Sequence, residues 1–403
     1  MAADGRRAAA FVLSRWLLEH GHPADMLPDG PDRAFVQDLV YTTIRRFRPL
    51  RSLLGRFVAR WPKGELEAYL LLGAAQIMYM PEIPDFAAVS ATVDAAKACP
   101  NKAVAKMVNA VLRNVIRRRG EFDEYLRTAP LAERESYPNA LVSRWVARYG
   151  ETDAARLAVW HNTPAETWLL RRPAGWADGT HAVRPQYERL PRGQKISSLP
   201  GYAEGEFIVQ DPSTAGAVEL LDVREGLSVL DFCAAPGGKT AHIAWLLGGT
   251  GRLVAQEVNP RRLERLHENL ARLGLGNAAA GAKRVEAVSA VADGELFDRV
   301  LVDAPCSNTG VLRRRPDARW RWSAERIKEL TSLQAEILAR AAAHVAPGGI
   351  LVYSTCSNEP EENSGQVAAF CAAHPEFTAG RTFESVPFAS GHDGAFACAL
   401  HRQ

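Results

Sequence analysis

From about residue 207 onward, short apolar runs alternate with helical stretches, and this alternation limits the fold more than any other feature of the chain. Runs at 228–232, 252–257, 284–288, 299–302, 349–353 and 395–400 have the length and composition of buried strands. Between them, 239–246, 260–273, 324–344 and 361–373 carry apolar residues at helical spacing. Strands joined through helices run parallel, because only a crossover returns the chain to the same edge of the sheet. Such sheets are covered on both faces and bind their ligands beyond the C-terminal ends of the strands. The expected fold of residues 209–403 is therefore α/β and Rossmann-like.

The front of the chain has another period. Residues 8–19, 31–46, 50–60, 64–80, 86–98, 102–119 and 138–148 place apolar side chains three and four apart, so 1–150 is expected to be all-α. In the sixth of these, Val104, Val108, Val111, Leu112 and Val115 form one stripe, and Lys102, Lys106, Arg113 and Arg117 lie opposite. That basic face reads equally as solvated cations near a helix C-terminus and as an RNA-facing surface beside the cluster Arg45, Arg46, Arg48 and Arg51. Residues 1–150 hold 22 Lys and Arg against 16 Asp and Glu, the remainder 27 against 30. A basic front on a near-neutral rear suits a module that touches a polyanion. Residues 151–208, with short strands expected at 168–171 and 195–199 among Pro and Gly turns, read as a small α+β connector. No run approaches the ~20 apolar residues of a membrane span. Arg15, Glu19 and His20 interrupt the N-terminal apolar patch, which reads as an amphipathic helix and not a signal peptide. The six cysteines are scattered, without metal-binding pairs or disulfide density, which suits a reducing cytoplasm.

Chemistry concentrates at the expected strand ends. In VLDFCAAPGGKT, Val229 to Thr240, a strand closes on an acid, and Cys233, Ala234, Ala235, Pro236, Gly237, Gly238 and Lys239 form a small-residue loop opening a helix. Such a loop lets backbone N–H groups approach a ligand. It is no phosphate loop, since Cys233 stands where that motif needs its first glycine, and the dinucleotide pattern is absent as well. Glu257, ending the next strand, can accept both hydroxyls of a ribose, or serve the start of the helix at Pro260. Two runs, DAPCSNTG and YSTCSNEPEEN, bring Cys306 and Cys356 to the same sheet edge. A free thiol is often just a small buried apolar group. Here Asp303, Ser354, Thr355, Glu361 and Glu362 surround the pair with polar groups, which suits a nucleophile with an assisting thiol. The residues alone leave open which cysteine attacks. The next run, VLRRRPDARWRWS, offers Arg313, Arg314, Arg315, Arg319 and Trp320 to grip phosphates and stack on bases; alternatively Trp320 or Trp322 plugs a core.

Taken together, VQDPST, DFCAAPGGKT, FDRVLVDAPCSNTG, RRRPDARW, PGGILVYSTCSNEPEEN and GHDGAF resemble the RNA cytosine-5 methyltransferases of the RsmB/NSUN family, from Val209 to the C-terminus. The front end resembles the NusB-like domain of the bacterial RsmB branch, which methylates 16S ribosomal RNA. The resemblance implies a class I methyltransferase domain at 209–403, with S-adenosylmethionine in the cleft lined by Cys233 to Lys239. It implies Glu257 on the ribose, with Arg262 matching a family arginine. Asp303 would lie between methyl donor and base, donating to N3 when protonated. Cys356 would be the nucleophile and Cys306 the thiol needed for release. Ser289 stands near where the family has an acid by the adenine, with Asp293 as a shifted substitute, and Asn308 stands where glycine is frequent. The expected partner is RNA, with neither metal nor membrane, and the expected state is a cytoplasmic monomer. Rival readings are a transfer RNA methyltransferase, a non-catalytic RNA-binding or assembly factor on the same fold, and a thiol redox enzyme.

Overall fold

The computed structural model describes residues 2–19, 21–173, 186–191, 193–276 and 285–403. The chain forms two compact units: Met1–Thr163 with Leu312–Ser323, and Pro164–Val311 with Ala324–Gln403.

The first unit is helical. Its central helix, Glu65–Tyr79, is buried over ten consecutive residues, as a helix that is apolar all round must be. Helices Ala2–Glu19, Arg33–Arg45, Asp85–Ala96 and Ala103–Arg117 pack around it. Gly73 is where the fit is closest: a Cβ there would lie 2.4 Å from Leu112 Cδ1. Inside, Arg6 Nε donates to Gln76 Oε1 (2.8 Å), and Gln76 Nε2 donates to Thr92 Oγ1 (3.1 Å), which links three buried polar side chains of this core. The helix expected over 102–119 ends at Arg117, and a second helix, Arg119–Thr128, starts after Arg118. The helix expected over 138–148 instead runs Asn139–Asn162, passing a kink at Gly150 (φ 78°) that glycine alone takes without strain. The end expected at residue 150 thus falls inside a helical element. Among the described residues no helix is long and apolar enough to cross a membrane.

The second unit has two sheets. Strands β1 (Thr167–Arg171), β2 (Gln186–Leu190) and β3 (Phe207–Val209) form a small antiparallel sheet in the order β2-β1-β3. The strand expected at 195–199 is a single 3₁₀ turn, Ile196–Ser198, because Ser198 turns both its N–H and its hydroxyl onto Lys195 O. The large sheet comprises β4 (Ser228–Asp231), β5 (Arg252–Gln256), β6 (Val285–Val288), β7 (Phe297–Asp303), β8 (Val345–Thr355), β9 (Phe377–Ser385) and β10 (Ala395–Arg402). Its order is β6-β5-β4-β7-β8-β10-β9; β4 to β8 are parallel, and β10 runs antiparallel to β8 and β9. Arg284, the expected first residue of β6, lies outside the described residues. The middle strands are buried on both faces, with Val229, Leu230, Val300, Leu301, Leu351 and Val352 fully enclosed. Strand order reverses at β4, which opens a crevice beyond its C-terminal end.

Candidate active site

The crevice is built from the loop after β4. Asp231 closes that strand almost fully buried, and Thr240 Oγ1 donates to its Oδ2 at 2.7 Å. Its Oδ1 has no hydrogen-bond partner among the described residues. Burial pushes the Asp231 carboxyl up to about 7, although the Thr240 hydrogen bond pulls the other way. Gly237 sits at φ 102°, in left-handed space, just before helix Gly238–Leu247. A Cβ on Gly238 would meet only Gln210 Nε2, at 3.7 Å, so the helix N-terminus keeps an open approach. Cys233 is half-buried, and burial raises its thiol to about 12, which makes it a poor nucleophile.

Glu257 follows β5 and is buried; its Oε1 accepts from Asn259 N (2.8 Å) and lies 3.2 Å from Arg262 Nη2. The cap of helix Pro260–Arg272 is Asn259, whose side chain accepts from Arg262 N. Glu257 therefore steadies the capping turn through one oxygen, while Oε2 makes no hydrogen bond among the described residues. Ser289 is exposed directly after β6.

β7 and β8 bring the two cysteine loops together. Asp303 pairs with Ser354 in register, and Ser354 Oγ donates to Asp303 Oδ1 at 3.0 Å. Lys239 Nζ donates to Asp303 Oδ2 at 2.6 Å. Burial would lower the Lys239 ammonium, but the charge of Asp303 wins and holds it above its ordinary value. Both Asp303 oxygens thus act as acceptors, and Lys239 is the donor of the pair. Cys306 Sγ and Cys356 Sγ lie 3.3 Å apart. Cys356 Sγ also faces Asn308 Oδ1 at 3.3 Å, and Asn308 Nδ2 donates to Cys306 O at 2.9 Å. Asn308 takes φ 61°, a left-handed angle that asparagine tolerates. Its contact with the thiol was not foreseen; its only signal was its departure from glycine. The Cys306 thiol is raised well above its ordinary value, first by the hydrogen bond with Cys356 and then by burial. A cavity of about 70 Å³ is walled by Ser213, Lys239, Asp303, Ser354, Cys356 and Phe396, among others. Cys356, and not Cys306, reaches this wall. A thiol opposite a lysine–aspartate pair equips the cavity for nucleophilic addition to a planar electrophile, with a proton donor at hand.

The arginine–tryptophan run corrects a sequence expectation. Leu312–Ser323 is part of the helical unit and is folded into it. Arg319 is fully buried; its Nη1 donates to Ser136 O (3.1 Å) and Asn162 Oδ1 (3.0 Å), and its guanidinium lies 4.0 Å from the Tyr137 ring centre. Trp320 Nε1 donates to Ile44 O, and its ring meets Trp16 and Phe47 edge-on. Arg313 is buried over Trp160. Arg313 and Arg319 are spent on packing and closed to a nucleotide; Trp320 is only partly buried and borders a pocket with Arg48 and Arg51, Arg314 is half-buried and Arg315 exposed. The core-plug alternative holds for Trp320.

Comparison with known proteins follows this geometry. The family described as 16S rRNA methyltransferase RsmB/F matches residues 218–396, and the NusB family matches residues 4–117. The protein named ribosomal RNA small subunit methyltransferase B from Klebsiella pneumoniae subsp. pneumoniae is 36% identical, over 88% of this chain and 85% of its own. Its namesake from an Enterobacter species is 33% identical over 99% of both chains. The crystal structure of PH0851 covers 99% of both chains with a TM-score of 0.77 at 23% identity, which shows the shared fold.

Proposed function

Because this chain belongs to the RsmB/F family of 16S rRNA methyltransferases, we propose that it methylates C5 of a cytosine in 16S ribosomal RNA through a covalent adduct on Cys356. The observation that carries this reading is the 3.3 Å sulfur pair, with Cys356 alone on the wall of the Lys239–Asp303 cavity.

The crevice suits S-adenosylmethionine by its donor set. Asp231 Oδ1 is a buried acceptor without a partner among the described residues, Glu257 keeps Oε2 open for ribose hydroxyls, and Gly237 and Gly238 leave room for close backbone approach. Cys233 to Lys239 would line the donor, Arg262 would hold Glu257, and Ser289 would stand at the adenine edge. When bound, the donor supplies an electrophilic methyl group.

The protein's task is to make C5 of cytosine nucleophilic. Cys356, as thiolate, adds to C6, and the electron pair of the C5=C6 bond moves toward C5 and N3. Lys239 is placed to give a proton to N3, in the role the resemblance gave to a protonated Asp303; Asp303 accepts from Lys239 and Ser354 and orients the ammonium. After C5 takes the methyl, a base removes the C5 proton, the double bond re-forms, the C6–S bond breaks toward sulfur, and N3 returns its proton to Lys239. Cys306, a protonated thiol 3.3 Å away, can return a proton to that departing sulfur. The base has to be unstacked to enter so small a cavity.

Two variants test the roles. Cys306→Ala is expected to accumulate a protein–RNA adduct that survives denaturing electrophoresis, and Cys356→Ala to form none; the reverse pattern would exchange the assignments. Bisulfite sequencing of RNA from a deletion strain is expected to lose one 5-methylcytidine in 16S RNA. Its loss from transfer RNA instead, or from neither, would remove the ribosomal substrate.

A further inference from the structure

Beneath the two thiols lies a carboxylate that the reaction above does not use. Glu362 is fully buried. Its Oε1 accepts from the backbone N–H of Ser307 (2.8 Å) and from Gln334 Nε2 (3.0 Å). Its Oε2 accepts from Ser307 Oγ and from Ser357 Oγ, each at 2.5 Å. Ser307 follows Cys306 and Ser357 follows Cys356, so one carboxylate holds the residue after each cysteine. Gln334 also donates to Pro305 O at 2.9 Å, and Tyr353 Oη donates to Glu362 O at 2.7 Å. Four neutral donors converge on the group, and among the described residues it makes no ion pair. A carboxyl group buried among neutral donors alone is costly to keep unless it serves the geometry or the chemistry.

We propose that Glu362 is a positioning residue that locks the two cysteine loops together and makes their thiols unequal, Cys306 the retained thiol and Cys356 the free nucleophile. The inference rests on the reading of Cys356 as nucleophile. The arrangement is lopsided. The groups facing Cys306 are Cys356, Glu362 and Tyr353, and the Glu362 charge is one of the causes that raise the Cys306 thiol. Cys356 shares its cavity with the Lys239 ammonium, whose charge its sulfur helps to hold. An anion lies behind one sulfur and a cation beside the other. Cys306 is the thiol held above its ordinary value, which suits the release step.

The test needs neither RNA nor methyl donor. Iodoacetamide labelling of Cys306 and Cys356 is followed by peptide mass spectrometry across pH 6 to 10. The wild-type protein is expected to label Cys356 preferentially. Glu362→Gln keeps the shape and removes the charge. It is expected to move the Cys306 profile to lower pH and to cut the preference about tenfold, the equivalent of one pKa unit. An unchanged preference and profile would overturn the proposal. Ser307→Ala keeps the carboxylate and removes one donor, and is expected to keep the preference. If it lost the preference as far as the glutamine variant, loop loosening would be the cause and the charge role would fall. Ser307→Ala also decides the matter should Glu362→Gln fail to fold. In methyl transfer, Glu362→Gln is expected to lower kcat at least tenfold with KM for RNA within twofold. If the thiols become equal while the wild-type enzyme forms no RNA adduct, the asymmetry stands and the cytosine reading fails.

Discussion

Each unit holds a charged side chain with no exposed surface, Arg319 in the helical unit and Glu362 in the other, and the two are handled differently. Glu362 is met by four neutral donors, from both cysteine loops and from helix Ala324–Ala342. Among the described residues Arg319 works through Nη1 alone, on main-chain carbonyls and Asn162, while its Nε and Nη2 find no hydrogen-bond partner there and the plane rests on Tyr137. Burial lowers the Arg319 guanidinium to about 10, still charged at neutral pH. Full satisfaction goes with fixed geometry next to reacting atoms. Partial satisfaction suffices where the charge only pins a segment to its seat. A buried charge is thus better read from its partners than from its depth.

The comparison can be broken by variants that move activity and stability separately. The largest effect is expected at Lys239, whose charge belongs to the reaction: Lys239→Met should lower kcat by about 10²–10³, or ~3–4 kcal/mol, with little change in the unfolding midpoint, as single-turnover kinetics and calorimetry would show. Arg319→Met should do the reverse. It leaves carbonyls of Ser136 and neighbouring residues without their donor, at a cost of about 3 kcal/mol. The heat-unfolding transition of the helical unit should fall while methyl transfer per folded molecule holds; a loss of turnover at unchanged stability would place Arg319 in the chemistry. The last effect concerns Asp231 and is read against pH. Its folded value lies above that of a free carboxyl, so the native state holds a proton that the unfolded chain has lost between about pH 4 and 7. Stability should therefore decline as pH rises through that window, by at most ~1.4 kcal/mol per unit. Asp231→Asn should flatten the slope in denaturant titrations at several pH values.

Much of the sheet and both cysteine loops could be read from the sequence, because buried parallel strands announce themselves as apolar runs. β9 could not: FTAGRTFES is an exposed edge strand whose pairing is written in β10 and not in its own pattern. The arginine–tryptophan run misled for a related reason. Cations interleaved with indoles read alike as a nucleic-acid loop and as a buried pin, and the decision belongs to carbonyls at Ile44 and Ser136, far away in sequence. Lys239 was legible as part of a ligand loop, but its pairing with Asp303 across 64 positions was not. Glu362 stood in plain view beside Cys356, without any sign that its carboxylate also reaches the other cysteine loop.

The helical unit is completed by Leu312–Ser323, a stretch borrowed from deep inside the other half of the chain. Severing the polypeptide after Thr163 would therefore not yield two finished pieces. The N-terminal fragment would carry an empty socket lined by Trp16, Phe47 and Tyr137, and the C-terminal one an unseated internal loop bearing Arg319 and Trp320. The two halves cannot be exchanged between genes like beads on a string. The sequence interleaves them, so a cut at their apparent junction parts the helical unit from the stretch that completes it.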